Sequence, residues 1–382
     1  MTRRDLAKLA AVAPLMKARA AETASYTGPL TGFESKVNPS QFDPMNFAKK
    51  LYEQAPLKLT FKAKDKKAAE AWQKKLYAKI TELLGGFPTV RTPLNTQILE
   101  VREFPNYRRE RFVYETRPGL MSLAYLLTPN GAKRPLGTVI CIPGHGRGVD
   151  DLVGIDEQGR DRTDKEAAGY EHDFAIQVVE HGLAAVAIEP MAFGCRRDPV
   201  NAKKGLAQKG CDPVAGEALL LGQTLLGWRV WDVMRTIDWI HSRPELDAKR
   251  VGCMGPSGGG TATLFSAAMD PRIRVAMVSS YLNTFRDSIF AMNHCTDNYV
   301  PGILNWAEMY DVAGLIAPRP LFAESGERDT IFPIAASRTS FARVKAMYDV
   351  FGAADVVEHE VFDGPHSFWG KRGIPFLAKH LS

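Results

Sequence analysis

Ser257 lies in Gly255-Pro256-Ser257-Gly258-Gly259, a G-x-S-x-G arrangement between the apolar run Val251–Met254 and a helix-like stretch. A serine in this setting suits covalent attack on an acyl carbon. The nucleophile must stand on a tight strand-to-helix turn, and side chains two residues to either side would collide there. Gly260 adds further room. With 15 serines and 32 glycines in 382 residues, about 0.1 such matches are expected by chance, and fewer once a strand before and a helix after are required.

A serine hydroxyl needs a base, and the base needs an orienting acid. On a turn of this kind the acid and then the histidine follow the serine in the chain. Of the late histidines, His359 falls inside the strand-like run Val356–Phe362 and His380 sits two residues from the end. His366 follows that run in Asp363-Gly364-Pro365-His366, on a loop at a strand's C-terminal end. His366 is therefore the expected base. Asp329, on the loop after Pro320–Ala323 and before Pro333, is the expected acid, with Glu327 and Asp363 as rivals. Stabilising the oxyanion takes two backbone N–H groups. One is expected from Gly258. The other is expected from the small-residue loop Gly144-His145-Gly146-Arg147-Gly148, with Arg147 preferred and Gly146 as alternative. His145 is expected chiefly to brace that loop, while His145, Gly146, Phe193 and Trp369 are candidate pocket walls, as is Trp306.

These residues need a scaffold that presents strand ends to one cavity. Residues 46–85 carry Ala69, Trp72, Leu76, Ile80 and Leu84 at three- and four-residue steps and read as helical, closed by Gly85-Gly86. From about residue 96 the period changes. Ile98–Phe104, Arg111–Thr116 and Leu120–Leu127 read as strands with connections short enough for antiparallel pairing. Thr138–Ile142, Leu183–Ile188, Val251–Met254, Val275–Val278, Leu321–Ala323 and Val356–Phe362 follow, most of them apolar throughout and separated by helical segments. That rhythm predicts a parallel sheet covered on both faces. The clearest intervening helix spans 218–242. The irregular stretches 144–170 and 190–217 each follow a strand's C-terminal end, where open parallel sheets place ligands. Arg160, Arg162, Arg196 and Arg197 within them are candidates to meet acidic or sugar-bearing substrates, or simply solvated loop residues.

Composition narrows the function. The chain is 45% hydrophobic and 24% charged with a formal net charge of +6, ordinary for a globular protein. No basic stripe interleaved with aromatics appears, so nucleic acid is not an expected partner. No C-x-x-C or H-E-x-x-H spacing appears, so neither a metal nor another cofactor is expected. Cys195 and Cys211 flank an insertion, a placement that permits a disulfide in an oxidising compartment. Arg3-Arg4, the apolar Leu9–Met16 and Ala18-Arg19-Ala20 read as a twin-arginine export signal over residues 1–20. The expected location is periplasmic or secreted, or cytoplasmic if residues 1–20 are instead an ordinary amphipathic helix. No run of 18 apolar residues occurs, and no membrane span is predicted.

On the His145-Gly146 loop, Gly255–Gly259, Asp329 before Ile331-Phe332-Pro333, and His366, the sequence resembles the α/β-hydrolase superfamily. More narrowly it resembles the bacterial dienelactone-hydrolase-like and acetyl-xylan-esterase-like branch. Glu189-Pro190 with Gly194, and Asn298-Tyr299-Val300-Pro301-Gly302, add support. The resemblance covers roughly residues 96–382, with 21–95 as leader and helical extension before a catalytic domain. It implies an α/β-hydrolase fold and a cofactor-free serine carboxylesterase cleaving small-acyl esters, carbohydrate-linked ones included, through an acyl-enzyme. True dienelactone hydrolases use a cysteine where this chain has Ser257, which favours ester cleavage. A peptidase of prolyl-oligopeptidase type shares the triad order, but such enzymes carry a large propeller in front. A catalytically silent hydrolase fold acting as a binding module is the other reading; a complete set of triad residue types in order argues against it.

Overall fold

The apolar runs become the strands of one nine-stranded sheet. In the computed structural model, which describes residues 28–162, 169–205 and 210–382, these are β1 Gln97–Glu103, β2 Tyr107–Arg117, β3 Leu120–Pro129, β4 Leu136–Cys141 and β5 Ala184–Ile188. They continue as β6 Leu246–Pro256, β7 Ile273–Ser279, β8 Leu321–Gly326 and β9 Val357–Phe362. Their spatial order is β1-β2-β3-β5-β4-β6-β7-β8-β9. β1, β2, β3 and β5 pair antiparallel, and every later pairing is parallel. β4, β5 and β8 are buried at every position, as strands covered on both faces must be.

Helices close both faces. The predicted 218–242 helix is two elements. Cys211–Leu220 comes first; then Gly222 reverses the chain at φ +69°, and Leu225–His241 follows, its Thr224 cap accepting the Gly227 N–H at 2.9 Å. Behind the nucleophile turn, the helix Gly258–Met269 is buried along its whole length.

The N-terminal stretch divides at Gln54 and Ala55 into separate units. In the first, the helix Pro44–Glu53 starts from an Asp43 cap. The second contains the sheet and also the helix Lys66–Leu83. Asp65 caps this helix, and Ala69, Trp72, Leu76 and Ile80 bury one side of it in the main core. Trp72 Nε1 donates to the Leu59 carbonyl at 2.6 Å, and Gln73 Nε2 to those of Gly314 and Ala317. This helix is thus part of the sheet's own unit, not of an extension ending at residue 95. Among the described residues no helix is long and apolar enough to cross a membrane. The twin-arginine segment lies outside the described residues.

Candidate active site

Ser257 directly follows β6, caps the helix Gly258–Met269 and holds φ 53° and ψ −119°. The neighbouring glycines are required by contact: a Cβ on Gly255 would stand 2.4 Å from the Ile142 carbonyl oxygen, and one on Gly259 only 2.0 Å from the same atom. The Ser257 N–H is tied to the Ser279 carbonyl of β7 at 3.0 Å. Pinned in this way, Ser257 opens on a cavity of about 500 Å³ that it shares with Gly258, His145, His294, Phe332 and His366.

Asp329 and His366 meet. His366 Nδ1 lies 2.7 Å from Asp329 Oδ2. Asp329 Oδ1 accepts the N–H groups of Ile331 and Phe332 at 2.8 and 2.9 Å, which fixes the carboxylate plane. The two loops are laced together by the Glu327 N–H on the Phe362 carbonyl and the Arg328 N–H on that of Gly364. Phe332 stacks on the His366 ring at 5.6 Å, with Tyr170 on the ring at 6.3 Å. The rival acids are engaged elsewhere: Glu327 with Arg338 at 2.7 Å, and Asp363 with Arg328. His359 stays on β9 with Ser325 Oγ at 3.0 Å, and burial pushes its pKa down to about 4.

Three buried glutamates brace the loops around the cavity. Glu171 accepts the Gly144 N–H at 2.7 Å, and Glu189 accepts the Val149 N–H at 3.2 Å. Glu324 accepts from Ser279 Oγ at 2.6 Å and from the N–H groups of Trp369 and Gly370 at 3.0 and 2.9 Å. Burial raises all three carboxyls, Glu171 and Glu189 to about 8 and Glu324 to about 7.

Several expectations need correction. The Arg147 N–H is not aimed at the cavity; it donates to Asp151 Oδ2 at 2.9 Å, and its side chain binds Asp151 and the Ile155 carbonyl. Gly146 lies on the same side, 2.7 Å from Asp151 Oδ2 at its would-be Cβ. Among the described residues the Gly258 and His145 N–H groups have no hydrogen-bond partner, and both residues line the cavity. Phe193 is not a pocket wall: it is buried behind His145, ring centroids 4.8 Å apart, with Arg229 over its face. Trp369 stacks on Phe362 under Lys371, and Trp306 lies under Lys58 and Lys79. Arg160 pairs with Asp156, Arg162 with Asp173 and Arg196 with buried Asp232, so these arginines hold loops. Arg197 donates to the Gly194 carbonyl at 2.8 Å. Cys195 and Cys211 are both thiols, one exposed and one buried. His294 lines the cavity and was missed, since nothing in its spacing marks it.

The sequence profile of the Abhydrolase family matches residues 47–363. The chain belongs to this family. A Bacillus subtilis protein named as a hydrolase, YtaP, is 25% identical over 280 residues, covering 72% of this chain and 87% of the relative. Among solved structures, a Bacteroides fragilis protein described as an acetyl xylan esterase superposes with TM-score 0.74 at 18% identity, covering 88% of this chain and 94% of its own. A glucuronoyl esterase from Solibacter usitatus superposes with TM-score 0.65 at 16% identity, covering 86% and 97%. These likenesses, with the mostly parallel sheet and its flanking helices, make the architecture the α/β-hydrolase fold.

Proposed function

We propose that this Abhydrolase-family protein is a serine carboxylic ester hydrolase with Ser257 as nucleophile, His366 as base and Asp329 as orienting acid. The observation that carries the reading is the 2.7 Å Asp329–His366 contact on the cavity that Ser257 enters from its strained turn. Asp329 accepts from Nδ1–H, leaving Nε2 of His366 to take the hydroxyl proton as Ser257 Oγ attacks the ester carbonyl. The N–H groups of Gly258 and His145 receive the oxyanion. His366 returns the proton to the departing alcohol, and an acyl-enzyme remains. Water, deprotonated by the same histidine, attacks the acyl carbon and releases the acid and the serine.

We further propose small-acyl esters of hydroxylated, uncharged alcohols, acetylated carbohydrate above all. Among its described lining residues the cavity has no Lys or Arg to pair with a free carboxylate. Instead it has Asn293 and His294, whose Nε2 has no hydrogen-bond partner among the described residues. The structural relative described as an acetyl xylan esterase fits this class. Arg3-Arg4 and the following apolar segment are read as an export signal that would bring the enzyme to such polymers; N-terminal sequencing of the mature protein from the periplasm tests this.

The deciding experiment replaces Ser257 by Ala and measures hydrolysis of p-nitrophenyl esters of increasing chain length, and of acetylated xylan. Turnover is expected to vanish while the circular dichroism spectrum is unchanged, and wild-type rates are expected to be highest for acetyl. A variant that keeps near wild-type turnover removes Ser257 from the mechanism.

A further inference from the structure

Beside the nucleophile turn, and apart from the triad, four donor atoms converge from distant points in the chain. His145, Cys211, Cys295 and Asp297 each offer one ligand atom, and all four atoms lie within 4.8 Å of one another. His145 Nε2 is 3.5 Å from Asp297 Oδ2 and 3.6 Å from Cys211 Sγ. We infer that these residues form a structural site for a thiophilic divalent cation of the zinc type.

Geometry supports this first. A tetrahedral zinc with bonds of about 2.3 Å to sulfur and about 2.0–2.1 Å to nitrogen or oxygen sets its ligand atoms about 3.3–3.8 Å apart. The two edges given above, 3.5 and 3.6 Å, fall in that range, and no pair of the four atoms is more than 4.8 Å apart. Donor chemistry agrees: two sulfurs, an imidazole and one carboxylate are a set that selects zinc over the hard cations magnesium and calcium. Four protein ligands leave no open position, which marks a structural rather than a catalytic ion.

Charge agrees as well. Buried Arg229 donates to Asp297 and, at 3.4 Å, to Cys211 Sγ, while two bonds to the Met191 carbonyl hold it in place. Buried Arg229 and Asp297 are opposite charges in contact and balance each other. When the cation binds, each thiol releases its proton to solvent. Two thiolates and a carboxylate then face one divalent cation and one guanidinium, and the cluster is again neutral. A carboxylate oxygen has lone pairs enough to serve Arg229 and the ion together. Supporting bonds also exist around the ligands. Asn298 Nδ2 donates to Asp297 Oδ1 at 3.0 Å, and Tyr170 Oη to the His145 carbonyl at 3.1 Å.

The site joins the loop after β4, the start of the helix Cys211–Leu220 and the 3-10 turn Thr296–Asn298. His145 and Cys295 also line the substrate cavity, so the ion would brace that wall. The test uses the full chain, purified with reductant, stripped by chelator and titrated with Co²⁺. One Co²⁺ per chain is expected, with the intense visible bands of a tetrahedral ion and a near-ultraviolet thiolate-to-cobalt band, all displaced by Zn²⁺. Cys211→Ser and Cys295→Ser should each weaken binding by at least about 100-fold, the upper end of what loss of a supporting partner costs. Weak octahedral bands without the thiolate band in the reduced wild-type chain overturn the inference. So does a Cys211–Cys295 disulfide whose reduction yields no cobalt binding. The wild-type spectrum decides even if a variant fails to fold, and it is independent of ester hydrolysis.

Discussion

Ser257 at φ 53° occupies backbone space that non-glycine residues enter at a cost of order 1–3 kcal/mol, and such strain gathers at reactive positions. The price is met by neighbours that admit only this path, above all the Ile142 carbonyl against Gly255 and Gly259. This much is legible in the sequence, because a G-x-S-x-G turn is a local steric problem with few solutions. Asp329 and His366 are legible by their order and by their places after strand-like runs. Arg147 is not: its N–H turns to Asp151 through a short-range loop bond that no periodicity records. Asp329→Asn tests the triad most sharply at this scale. The amide keeps the size of the acid and can still accept from Ile331 and Phe332, but it no longer enforces the Nδ1–H tautomer of His366. We expect turnover of p-nitrophenyl acetate to fall by about 10³–10⁴-fold with thermal stability nearly unchanged. A loss of under tenfold would point to another acid.

β4, β5 and β8, buried at every position, are legible because strands covered on both faces carry an unbroken hydrophobic signal, whereas the largely exposed β1 and the alternating β2 are legible only by the change of period near residue 96. The split of 218–242 is not legible, since Cys211–Leu220 and Leu225–His241 are joined by only the short stretch 221–224, in which Gly222 is the sole glycine. The helix Lys66–Leu83 was legible as a helix but not as part of the sheet's unit, because amphipathic spacing names a buried face without naming what buries it. Its membership predicts that Leu76→Ala, at a fully buried position, lowers unfolding free energy by about 2–5 kcal/mol in urea titrations. An effect under about 1 kcal/mol would mean that this helix contributes little to the core. Connection between elements also runs through Glu324, which ties Ser279 at the end of β7 to the loop carrying His366. Glu324→Ala strands the buried Ser279 Oγ–H and Gly370 N–H and the part-buried Trp369 N–H, and about 1–3 kcal/mol of stability is expected to go with each buried donor that stays unsatisfied. Turnover should fall with it as the His366 loop loosens. Glu324→Gln, which restores one acceptor, should recover part of both.

Across the whole molecule, the buried glutamates make stability depend on pH in a definite direction. Glu171 and Glu189 rise to about 8 and Glu324 to about 7 from an ordinary 4.5, each chiefly through burial. The folded state therefore holds protons that the unfolded chain has already lost. The stability this confers is full below about 4.5 and is lost as pH climbs through 7 and 8. Within that window each group contributes a slope of up to about 1.4 kcal/mol per pH unit. His359, lowered to about 4, acts in the opposite sense, but its window closes near 6.5 and leaves the higher range to the carboxyls. Urea midpoints for the triad-intact protein are expected to decline from pH 6 to 8 and to level off above about 8, where all three carboxyls are ionised in both states. Glu189→Gln should flatten the decline, because the amide fills the same space between Gly148 and Gly194, keeps an acceptor for the Val149 N–H, and does not ionise. If the variant and the wild type lose stability in parallel over that range, Glu189 is not the proton-holding group that its burial makes it.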